Sequence, residues 1–227
     1  MVRFVAAESV SIEIPDAEPV SGLWQKPASP WAALVLAHGA GAGMTHPSLS
    51  TIADGLEAFG VASLRFQFPY MERRARRPDS PAVAQAAVRA AVARARQLAG
   101  SLPLFAGGRS FGGRMTSQAQ ARAPLEGVRG LVFFAFPLHP AGRPSIERAD
   151  HLAEVAAPML FLQGTNDALA DLPRLRGVVR TLGPRATLRL LDDADHSFHV
   201  PKKTGRTDAE VLRAALRDVA GWMGPLA

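Results

Sequence analysis

Apolar positions along the chain fall into short bursts separated by turns, and the period within each burst predicts the elements. Val10-Ser11-Ile12-Glu13-Ile14 alternates with period two, and Pro15-Asp16-Ala17-Glu18-Pro19 supplies turn chemistry before Val20–Gln25, which predicts an N-terminal antiparallel hairpin. Trp31–Ala37 is a continuous apolar run between Pro30 and a glycine-rich loop, the pattern of a strand buried on both faces. Leu49, Ile52, Ala53, Leu56 and Phe59 then repeat at helical spacing, with Gly60 where a C-terminal cap belongs, and Val61–Phe66 reads as the next strand. Ser80-Pro81 is an N-cap followed by a proline suited to the first helical position, opening an Ala-rich helix that runs to about Ala99 and stops at Gly100.

The same grammar continues to the end of the chain. Leu102–Gly107, Gly130–Phe136, Pro158–Gln163 and Thr187–Leu191 are further strand-like runs with helical patterns between most of them, and Ala209–Met223 carries an apolar stripe of Val211, Leu212, Ala215, Leu216, Val219 and Trp222. Strands alternating with helices imply parallel pairing through right-handed crossovers, hence an α/β sheet covered on both faces. No linker, repeat or low-complexity stretch divides residues 1–227, so a single domain is expected; the irregular stretch Phe136–His151 is too short to be a separate cap domain.

Composition narrows the chemistry. The chain has 227 residues, 48% of them hydrophobic, and no cysteine. A chain of this length buries roughly 70–75% of its unfolded surface and needs no disulfide or metal to hold a core. Lacking cysteine, it has no thiol nucleophile and no thiolate ligand, which leaves only His, Asp and Glu for any metal. The net charge of +6 comes almost wholly from arginine, since Lys26, Lys202 and Lys203 are the only lysines. The arginines are dispersed and only one tyrosine is present, so no stacking platform for bases is apparent and no nucleic-acid partner is expected. The first residues include Glu8 and Glu13 and no continuous apolar signal segment, and the longest apolar runs fall far short of the roughly 20 residues a membrane helix needs. A cytoplasmic location without membrane association is the simplest expectation.

One strand leads into chemistry. Leu104-Phe105-Ala106-Gly107-Gly108-Arg109-Ser110-Phe111-Gly112-Gly113 is a strand entering a glycine-flanked serine and then a helix, which fits G-x-S-x-G in its required context. A serine hydroxyl needs a base. Of six histidines, His196 in Asp193-Ala194-Asp195-His196-Ser197-Phe198 follows the last strand, so its loop leaves the sheet at the same carboxyl edge as Ser110, where catalytic groups gather in such sheets; His199 is its neighbouring competitor. Asp167, in Gly164-Thr165-Asn166-Asp167, ends the strand next but one after the Ser110 strand and is the candidate orienting carboxylate, while Asp171 suits a helix N-cap. The order Ser, Asp, His differs from that of chymotrypsin-like and subtilisin-like enzymes. Donors for a developing oxyanion are expected from the Phe111 amide and from the loop His38-Gly39-Ala40-Gly41-Ala42-Gly43, with Ala40 favoured and Gly41 the alternative.

Taken together, these residues resemble the α/β-hydrolase superfamily, in particular its small uncapped members similar to dienelactone hydrolase and the KANL/Tex-like hydrolase domains. The resemblance rests on the segments just quoted and on Phe66-Gln67-Phe68-Pro69-Tyr70 and Phe136-Pro137-Leu138-His139-Pro140. It implies a three-layer α/β/α sandwich with a mostly parallel eight-stranded sheet and no cap domain, a Ser110/Asp167/His196 triad, no metal or organic cofactor, and a small-molecule acyl substrate such as an ester, thioester or lactone. Dienelactone hydrolase itself uses a cysteine nucleophile, so its substrate does not carry over to Ser110. The alternative is a non-catalytic interaction module of the same fold. Candidate substrate contacts are His38, His139 and two arginines, Arg73 and Arg76, in the basic loop Glu72–Pro78, where a guanidinium could hold an anionic group.

Overall fold

The computed structural model describes residues 5–227 and contains an eight-stranded sheet in the order β1-β2-β4-β3-β5-β6-β7-β8. The strands are β1 Glu8–Ile12, β2 Val20–Gln25, β3 Ala32–Ala37, β4 Val61–Phe66, β5 Leu104–Arg109, β6 Val128–Phe134, β7 Met159–Gly164 and β8 Ala186–Leu191. β1 and β2 form the antiparallel hairpin, β2 pairs antiparallel with β4, and every pairing from β4 to β8 is parallel. The helices are α1 Pro47–Glu57, α2 Pro69–Glu72, α3 Pro81–Ala99, α4 Phe111–Arg122, α5 Leu172–Leu182 and α6 Asp208–Met223.

Local signals account for the helix ends. Pro81 and Gly100 bound α3, with Gly100 at φ 61°, although the Ser80 side chain makes no capping hydrogen bond. Asp171 caps α5 by accepting from the Arg174 amide, and Thr207 with Glu210 forms a reciprocal capping box on α6. Strand boundaries shift by up to two residues from the sequence expectations, as in β5 (expected at Leu102–Gly107) and β6 (expected at Gly130–Phe136), and α2 has no counterpart there. β1 ends at Ile12 rather than Ile14, because Ile14 still points into the core after pairing has stopped. The stretch expected to be irregular ends in a 3-10 helix, Glu147–Glu154, packed on α4.

Alternation along each buried strand divides the core in two. Ala33, Val35 and Ala37 of β3 face α3 and α4, while Ala32, Leu34 and Leu36 face α1 and α6. No inserted domain covers the carboxyl edge of the sheet among the described residues. From β3 the chain turns to β4 on one side and later returns to β5 on the other, so the loops after β3 and β5 diverge at a topological switch point, where such sheets form their crevice.

Phe133 is the hub of an aromatic cluster on the α3/α4 face, with ring centroids 4.8 Å from Phe161 and 5.4 Å from Phe136. It is fully buried. Phe133→Ala should therefore cost about 3–5 kcal/mol in urea unfolding; a loss below about 1 kcal/mol would show that the cluster collapses without a cavity.

Candidate active site

Ser110 is the single residue between the end of β5 and the start of α4, and it adopts φ 50° and ψ −116°. Backbone in this region costs a non-glycine residue about 1–3 kcal/mol and persists only when its surroundings hold it. Here the Ser110 amide donates to the Phe134 carbonyl (3.0 Å), and the Ser110 carbonyl accepts from the Arg114 amide (3.1 Å). Glycine at positions 108 and 112 is required by close approach: a Cβ on either would run into the Ala37 carbonyl.

Two further loops converge on this turn. β7 ends in the turn that carries Asp167, and β8 leads into the turn that carries His196. They are stitched together: Thr165 Oγ1 accepts from the Asp193 amide (2.8 Å), and the Asn166 amide donates to the Ala194 carbonyl (2.9 Å). His196 Nδ1 lies 2.7 Å from Asp167 Oδ2, and Nε2 lies 2.9 Å from Ser110 Oγ. The Asp167 carboxylate, wholly buried, also accepts from the Leu169 amide (2.8 Å) and the Gln163 side chain, which leaves it an acceptor for the imidazole Nδ1–H. That assignment makes Nε2 the acceptor of the serine proton.

Among the loop amides, that of Gly41 donates to the Tyr70 hydroxyl (2.9 Å), whereas those of Ala40 and Phe111 have no hydrogen-bond partner among the described residues. Gly39 lies against the serine, since a Cβ built on it would be 3.8 Å from Ser110 Cβ. Phe111 is the first residue of α4, where an N–H has no partner within the helix.

Two candidate substrate contacts are corrected by the structure. His38 is fully buried; its Nδ1 faces the Gly39 carbonyl (2.7 Å) and its Nε2 accepts from the Phe68 amide (3.1 Å). Burial pushes its pKa down to about 4, so the neutral ring braces the loop after β3 against the loop after β4. His139 is likewise buried, with Nδ1 on the Pro140 carbonyl and Nε2 accepting from the Asp171 amide. Arg73 is ion-paired with Asp79, and Arg76 is exposed; neither makes a hydrogen bond to Ser110, His196 or Asp167. His199 pairs with Asp208 (3.0 Å), away from Ser110.

Two side chains at the site escape the sequence reading. Gln163 sits at the buried end of β7 and holds Asp167. Arg109, inside the serine motif itself, donates from Nη2 to the His196 carbonyl (3.0 Å) and lies over the Phe198 ring at 5.7 Å. Spacing carries no sign of either contact; the only hint for Gln163 is a lone polar residue at the end of an apolar run.

Residues 30–224 match the model of the alpha/beta hydrolase domain. The chain belongs to that family. This alpha/beta hydrolase is also similar to a lid-less α/β serine hydrolase from Xanthomonas campestris, at 25% identity and TM-score 0.75 over 96% of this chain and 95% of that one. A dienelactone hydrolase from Anabaena variabilis shares 20% identity over 96% of each chain, with TM-score 0.75. The esterase domain of a Rhodothermus marinus protein shares 17% over 96% of this chain and 98% of that one, with TM-score 0.70. The last two likenesses carry the fold.

The buried His38 has a pH signature. Unfolded, it titrates near 6.5; folded, near 4. Between those values the unfolded hydrolase holds the extra proton, so stability is intact above pH 6.5 and falls as pH drops toward 4, by up to about 3 kcal/mol from this group. Urea unfolding from pH 7.5 to 4.5 should show a shallower decline for His38→Gln than for the native chain, and parallel declines would contradict the brace.

Proposed function

We propose that the chain is a serine hydrolase that cleaves a small ester, thioester or lactone through an acyl-enzyme on Ser110. The observation that carries this reading is the continuous Asp167–His196–Ser110 hydrogen-bond chain, with 2.7 Å and 2.9 Å links, at the switch point of an alpha/beta hydrolase sheet. The serine hydrolase and esterase descriptions of two structural relatives support a serine nucleophile and ester chemistry.

In this reading His196 Nε2 takes the Ser110 proton as Oγ attacks the carbonyl, then delivers it to the leaving group. Asp167 holds the Nδ1–H tautomer and stabilises the transient imidazolium. The Phe111 and Ala40 amides receive the developing oxyanion, each donor of this kind contributing about 2.7–4 kcal/mol. Gly41 is the weaker candidate because Tyr70 already takes its amide. A water activated by His196 then releases the acyl group. No metal or cofactor enters these steps. The Gly108 and Gly112 contacts support the reading as well, since they hold Ser110 Oγ at the mouth of the turn.

Purified protein should label with a fluorophosphonate probe and hydrolyse short p-nitrophenyl esters, and Ser110→Ala should abolish labelling and lower kcat by at least about 10³-fold. Labelling or turnover that survives Ser110→Ala would reject the assignment, and the absence of both in the native chain would favour a non-catalytic interaction module.

A further inference from the structure

The 3-10 helix Glu147–Glu154 has three residues per turn, so its side chains fall into three edges. Ala149 and Leu152, continued by Val155, are buried in the core. Glu147 and Asp150 share a second, exposed edge. Arg148, His151 and Glu154 share the third.

The third edge meets α4. His151 Nε2 lies 2.7 Å from Ser117 Oγ, whose own proton goes to the Arg114 carbonyl, so the ring donates from Nε2. Burial first, then the charge of Arg114, pushes His151 down to about 4 against the pull of Asp150, so the ring is neutral. The Ser117–His151 bond ties α4 to the 3-10 helix within one turn of each arginine, Arg114 on α4 and Arg148 on the 3-10 helix. Burial and the like charge of Arg148 pull Arg114 below the usual guanidinium range.

Neither arginine makes an ion pair among the described residues, and Arg114 Nε is buried without a hydrogen-bond partner. Arg114 lies one turn, about 5–6 Å, beyond Ser110 on the same face of α4, its amide donating to the Ser110 carbonyl. Side chains on a helix lean toward its N-terminus, which here is the nucleophile end. Glu154, the acid on the shared edge, lies one turn past His151 on the side away from Arg148.

We propose that Arg114 and Arg148 form an anion subsite beside Ser110, and that the substrate carries a carboxylate or phosphate group held there while its acyl carbon reaches Oγ. This rests on the serine hydrolase reading and names the substrate class for it. A guanidinium pair suits an oxyacid, which each arginine can take through two parallel N–H donors. Two adjacent cations without an acid partner are stabilised when such a group binds. The loop arginine Arg73, by contrast, already has its counter-ion in Asp79.

The test compares mono-p-nitrophenyl glutarate with p-nitrophenyl butyrate, and titrates glutarate and inorganic phosphate into the Ser110→Ala protein by calorimetry. The native chain should favour the anionic ester, and Arg114→Met and Arg148→Met should each lower the anionic-to-neutral ratio of kcat/KM at least tenfold, with Arg114→Lys recovering part of it. Glutarate or phosphate should bind Ser110→Ala saturably and at least tenfold more weakly when Arg148→Met is added; the tighter of the two names the group. An unchanged ratio, or binding by neither anion, overturns the subsite. Hydrolysis that persists in Ser110→Ala overturns the nucleophile assignment alone, because the titration judges the subsite without turnover.

Discussion

The arrangement depends on how closely the β5–α4 turn approaches the end of β3. Gly108 and Gly112 both press on the Ala37 carbonyl, and that contact leaves no room for a side chain at either position. With the turn pinned there, Ser110 takes its left-handed backbone, and its Oγ reaches His196 Nε2. The Phe111 amide, at the first position of α4, is aimed by the same constraint. A contact of two glycines with one carbonyl thus sets the direction of the hydroxyl, of a candidate oxyanion donor and of the α4 face that carries Arg114.

Local signals make much of the fold legible in the sequence. β4 and α3 are readable to the residue, because Gly60, Pro81 and Gly100 each impose a boundary that neighbouring residues cannot move. Ser110, Asp167 and His196 are readable as neighbours because each follows the carboxyl end of a parallel strand, and such ends share an edge. α2 and the 3-10 helix are too short to show a period.

Side-chain roles that depend on distant partners are not legible. His38 has the position of a substrate contact, and only its bond to the Phe68 amide, 30 residues on, shows it to be a brace. Arg109 finds its acceptor 87 residues away. Ser117 and His151 stand 34 residues apart on elements whose register the sequence does not state. Each of these pairings is set by how two crossovers pack, so no window of the chain contains it.

Arg109 has a mechanical consequence. β8, which leads to His196, lies at the sheet edge and is only partly buried, so its backbone belongs to the class of segments that open most readily. β5 is central and buried. By holding the His196 carbonyl from the last residue of β5, the guanidinium refers the imidazole to the strand that carries the serine. Fraying of the edge would then be taken up in the turn between Leu191 and Asp195, and the distance between His196 and Ser110 would be kept by a tether anchored in the middle of the sheet.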